Sequence, residues 1–91
     1  MQILTIDDLD FPNLLTAFKE GTTVGHYIKD GKTQVVCVTS QFMLVSQGVE
    51  PEKIAIKPAR NTKEAESYAL RFLHREKERG STVEIAAEYK I

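Results

Sequence analysis

Residues 61–91 place the tightest constraint on the fold. Asn61 to Gly80 reads as one capped amphipathic helix, and residues 82–91 read as a strand that follows it directly. Asn61 is placed to accept from first-turn amides, with Glu64 as its reciprocal partner three residues on. Ala65, Tyr68, Ala69, Phe72 and Leu73 recur at the spacing of a single helical face, and Gly80 is a natural terminator. Phe72, central in that stripe, is expected to supply much of the helix's burial. In the strand, Val83, Ile85, Ala87, Tyr89 and Ile91 alternate with Thr82, Glu84, Ala86, Glu88 and Lys90. Two elements with one apolar face each must share a layered core with other elements.

The upstream sequence supplies those elements. Residues 1–6 have the character of a short strand, and Asp7, Asp8 and Asp10 offer carboxylates able to cap the helix that follows. Pro12 suits its first turn, Phe11, Leu14, Leu15 and Phe18 form its stripe, and Gly21 ends it, which predicts a helix over 10–20. Two β-rich runs, 22–28 and 32–39, flank Asp30-Gly31, a pair suited to a two-residue hairpin turn. That turn sets Lys29 opposite Lys32, and on one face His26 opposite Val35 and Val24 opposite Cys37; Tyr27, Val36 and Val38 take the other. A third strand is expected at 41–46, and Ile54 and Ile56, alternating with Lys53, Ala55 and Lys57, form a short one that Pro58 stops. The expected order is β-α-β-β-β-(β)-α-β. It describes one α+β domain over residues 1–91, with a largely antiparallel sheet of four to six strands and two helices packed on one face.

With 42% hydrophobic and 27% charged residues among 91, the chain has the composition of a soluble globular domain; 8% aromatics and no Trp limit it to one modest core. A lone Cys37 cannot form an internal disulfide, and the first residues lack the pattern of a secretory leader, so a cytoplasmic location is expected. No segment approaches the roughly 20 apolar residues of a membrane span. His26, Cys37 and His74 stand at no recognised metal-ligand spacing, and Gly21 and Gly25 lack the Lys-Ser/Thr of a phosphate loop, so neither metal nor cofactor is expected.

Three functional readings follow. The absence of a reaction centre, the net charge of −1 and a final strand expected at the sheet edge point first to a non-enzymatic regulatory or adaptor protein that docks onto a protein partner. Pairing of that strand through Glu84, Ala86, Glu88 and Lys90 would make it a homodimer. The alternative is nucleic-acid binding: Lys53, Lys57, Arg60 and Lys63 form an acid-free segment, and Lys29 and Lys32 add charge at the hairpin tip. A second alternative is a small ribonuclease with His26, near those lysines, as acid or base.

Overall fold

The computed structural model describes residues 1–48 and 51–89. Its elements are β1 (Gln2–Thr5), α1 (Phe11–Glu20), β2 (Thr22–Lys29), β3 (Lys32–Val38), β4 (Phe42–Gln47), β5 (Lys53–Pro58), α2 (Thr62–Glu78), β6 (Thr82–Ile85) and a 3₁₀ turn at Ala87–Tyr89. This is the expected α+β order, with the fourth middle strand present as β5. The six strands form one sheet in the order β1-β5-β4-β3-β2-β6, with every neighbouring pair antiparallel. Asp30 and Gly31 take positive φ values of 53° and 76° and close the β2–β3 hairpin as a two-residue turn.

The helices lie on opposite faces of the sheet, not on one. Val36, Val38, Met43 and Val45 are buried with Ala65, Ala69 and Leu73 of α2. The alternate residues Cys37, Leu44, Ile54 and Ile56 are buried with Phe11, Leu14 and Phe18 of α1. Strands apolar on both sides require cover on both sides. Connectivity then assigns the faces. β1 and β5 are antiparallel neighbours, and the chain crosses the sheet in the same direction from each, through α1 to β2 and through α2 to β6. Crossovers of one hand that start from oppositely directed strands put their helices on opposite faces.

The hairpin register holds from Lys29↔Lys32 to Gly25↔Val36 and then shifts, so that Thr23, not Val24, opposes Cys37. Val24 is the extra residue of this bulge, and it is fully buried in the α2-side core. Thr23 Oγ1 lies 3.6 Å from Cys37 Sγ, and burial pushes that thiol's pKa up, consistent with a core role. Gly25 is obligatory for another reason. A Cβ there would stand 2.5 Å from the Glu84 carbonyl oxygen and 2.8 Å from Leu73 Cδ1, so α2 and β6 both close on its bare backbone.

At the start of α1 the expected carboxylate cap is absent: Asp10 makes no side-chain cap bond. Asp8 instead accepts from the Thr5 amide at 2.6 Å and closes the turn after β1. In α2 the Asn61 side chain accepts from the Glu64 amide at 2.8 Å, as expected. The buried stripe is Ala65, Ala69, Leu73 and Glu76, whereas Phe72 and Tyr68 are only partly buried. Glu76 is a carboxylate in a core position, within 4.0 Å of Lys29 Nζ and 3.5 Å of Arg79 Nη1. It ties the hairpin tip to the end of α2.

The final strand is shorter than its alternation predicts. β6 pairs with β2 over only four residues, the Ala86 amide donates to the Val24 carbonyl at 2.8 Å, and the chain then turns into the Ala87–Tyr89 3₁₀ segment. The expected continuation to residues 90–91 lies outside the described residues. Tyr89 hydrogen-bonds Glu66 of α2. That contact holds the segment against the helix, which side-chain alternation alone does not reveal.

Leu73 is wholly buried between the sheet and α2, so Leu73→Ala is expected to cost about 2 to 5 kcal/mol in denaturant unfolding. Phe72→Ala is expected to cost distinctly less; equal losses would show that Phe72 is a core residue after all.

Burial and the Glu66 contact push the Tyr89 hydroxyl up to about 12. Because the folded pKa is raised, the protonated phenol favours the native state, fully below the unfolded value of about 10, and that contribution is lost as pH rises towards about 12. Stability measured across that interval should fall more steeply for the parent than for Tyr89→Phe.

Candidate functional site

Six strands about 4.8 Å apart span about 24 Å, while one helix with its side chains covers about 10 to 12 Å. Neither face can be closed by a single helix. α2 packs mainly over β2, β3, β4 and β6, and on its side β5 is only partly covered, at Ala55 and Lys57, while β1 lies beyond it. Met1 and Ile3 are each 60% exposed there, and Ile3 pairs with Ala55 beside the α2 core.

The uncovered strip is the floor of a groove along α2. One section, of about 380 Å³, is lined by Met1, Met43, Lys57, Tyr68, Arg71, Phe72, Arg75 and Arg79. A second, of about 160 Å³, shares Met1 and Phe72 and adds Ile3, Val45, Ala55 and Lys53. Neither section is lined by an acid. Arg71, Arg75 and Arg79 recur every fourth residue and so share one side of the helix, while Lys53 and Lys57 alternate with the inward Ile54 and Ile56. The result is a wall of arginines, an apolar floor and two lysines rising from it.

Electrostatics separate the groove's cations from the rest of the basic residues. Lys57 Nζ sits 4.7 Å from the centre of the Tyr68 ring. Arg79 is shared with Glu76, but among the described residues Lys53, Lys57, Arg71 and Arg75 form no ion pair. Arg60 is different. Its guanidinium bonds the Glu64 carboxylate at 2.8 Å and holds that carboxyl below the ordinary range. Glu64 in turn accepts from the Tyr68 hydroxyl and raises its pKa.

The basic residues singled out in the sequence are therefore not one cluster. Lys53 and Lys57 line the groove; Arg60 is paired with Glu64; Lys63 is exposed in the first turn of α2; Lys29 reaches Glu76; and Lys32 is exposed at the hairpin tip. His26 is exposed on the opposite side of the sheet, between Val35 and Glu84 in the strand pairing, and the groove brings no imidazole to its cations. Of the expected interface residues, Glu84 lies on β6, Ala86 is bonded to β2, Glu88 lies in the 3₁₀ turn and Lys90 is outside the described residues.

Arg71, Arg75 and Arg79 were hidden in the sequence by the residues between them. Read together with Glu64, His74 and Glu78, they make a mixed-sign solvent face; the four-residue spacing is the signal that separates them. Among the described residues no group of His, Cys, Asp and Glu could hold a metal ion, and no helix is long and apolar enough to cross a membrane. Comparison with known proteins yields no match to a family model, a curated protein or a solved structure.

Proposed function

We propose that the protein is a docking module whose groove beside α2 receives an acidic, apolar-bearing segment of a protein partner. The observation that carries this is the combination of an exposed aliphatic floor, Met1 and Ile3, with an acid-free lining of five cations, Lys53, Lys57, Arg71, Arg75 and Arg79. Cations along one wall select carboxylates and set orientation, and the floor supplies the apolar burial that holds the segment.

The same cations would attract phosphates, but the groove's aromatic residues favour protein over nucleic acid. One face of Tyr68 is covered by Lys57, and Phe72 packs at 5.6 Å and a 58° tilt against Tyr27. Neither ring stands clear as a platform for stacking bases.

A labelled amphipathic peptide of Glu and Leu, titrated by fluorescence anisotropy, is expected to bind the parent protein. Replacing Lys57, Arg71 and Arg75 together by Glu should weaken it at least about tenfold, and Ile3→Ser should also weaken it. Binding should survive moderate salt. A single-stranded oligonucleotide that binds more tightly than the peptide, with affinity falling steeply as salt rises, would replace this reading with nucleic-acid binding.

A further inference from the structure

A segment that lies on the groove floor loses water from its own backbone, and each amide and carbonyl so covered needs a partner. An extended segment would have to take those partners from the sheet edge at β1. That edge has few to give. The Ile6 amide donates inward to the Glu52 carbonyl, so by alternation the outward backbone groups along β1 belong to Thr5 and Ile3. Asp8 holds both groups of Thr5: its carboxylate accepts from the Thr5 amide at 2.6 Å, and its own amide donates to the Thr5 carbonyl at 2.9 Å. Within β1, Ile3 alone is left to pair with an added strand. The other wall of the groove is α2, whose backbone is bonded within the helix. The occupant must therefore satisfy its backbone internally, which a helix does.

Given the reading of the groove as a receptor for acidic, apolar segments, on which this rests, we infer that the segment is an amphipathic α-helix lying alongside α2. Its acidic side chains recur every fourth residue against Arg71, Arg75 and Arg79, and an adjoining aliphatic stripe covers Met1 and Ile3.

The dimensions of the groove suit such an occupant. Packed helices lie about 8 to 10 Å apart, and strands about 4.8 Å, so a helix beside α2 is displaced by about two strands, onto β5 and β1. From the row of Met1 and Lys57 to that of Thr5 and Lys53 the floor runs about 13 Å, and Arg71 to Arg79 rises about 12 Å along α2. Both lengths correspond to about two helical turns. Acids every fourth residue share one side of a helix and keep step with arginines at the same spacing. Apolar residues immediately before each acid form the neighbouring stripe, directed at β1. Met1 and Ile3, each 60% exposed, then leave water, and the free cations gain carboxylates.

Two labelled peptides of one composition and a third interrupted by proline test the helix by fluorescence anisotropy on the parent protein. The first has Glu at every fourth position and Leu immediately before each, with Ala and Gln elsewhere; the second reorders the same residues so that Leu and Glu alternate; the third is the first with a central Pro. The first is expected to bind, with carbon-13 Cα shifts of a helix when bound, and the other two at least about tenfold more weakly. Arg71→Glu with Arg75→Glu, checked for folding by circular dichroism, should weaken the first peptide at least about tenfold and bind better a version with Lys in place of Glu. Equal binding by the alternating or the proline peptide, extended shifts in the bound state, or a charge-reversed protein that still prefers the Glu peptide would overturn the helix. Binding of the alternating peptide in place of the helical one keeps the groove reading, whereas failure of all three removes it.

Discussion

Strands β3 and β4 are apolar on both faces, and much of the structure is a consequence of covering them. Val36, Val38, Met43 and Val45 need a helix on one side, while Cys37 and Leu44 need one on the other. With two α-helices among the described residues, one is committed to each face. Opposite strand directions at β1 and β5 make that possible with crossovers of the same hand, so no connection has to be strained. Gly25 shows how closely the pieces fit: α2 and β6 approach it to distances that leave no room for a methyl group.

The same commitment creates the groove. One helix is too narrow for six strands, and α2 lies towards the β6 side, where Leu73 and the 3₁₀ segment anchor it. The β5–β1 strip is left with Met1 and Ile3 exposed to water. Charge is then sorted by partner. Glu64 occupies Arg60 and Glu76 engages Lys29 and Arg79, while the cations facing the strip keep one sign with no acid among them. A chain with a net charge of −1 thereby presents a strongly basic groove, and its acids are concentrated elsewhere, including the turn after β1.

Much of the architecture was legible in local pattern. The helices, the Asp30-Gly31 hairpin, the Asn61 cap and the order of elements depend on neighbours a few residues apart, and periodicity and turn chemistry report such neighbours directly. Errors arose where a distant contact decided the outcome. Asp10 is a local exception: it makes no side-chain cap bond, and the carboxylate used in that turn is Asp8, three residues from Thr5. Val24 became a bulge residue turned into the α2 core, and the last strand stopped early because Ala86 bonds back to β2 and Tyr89 reaches Glu66. In the candidate site, Lys53 and Lys57 could be named from the acid-free segment, but not their separation from Arg60 and Lys63.

Sequence by itself determined the α+β class, the amphipathic faces and the hairpin, because each is specified by side chains within a turn or two of one another. Tertiary structure alone decided which face each helix covers, which strands become edges and which cations face one another. Those outcomes depend on strand order. Strand order brings Lys57 beside Arg71 and sets Met1 and Ile3 on an open strip, although nothing near them in the chain marks them as neighbours.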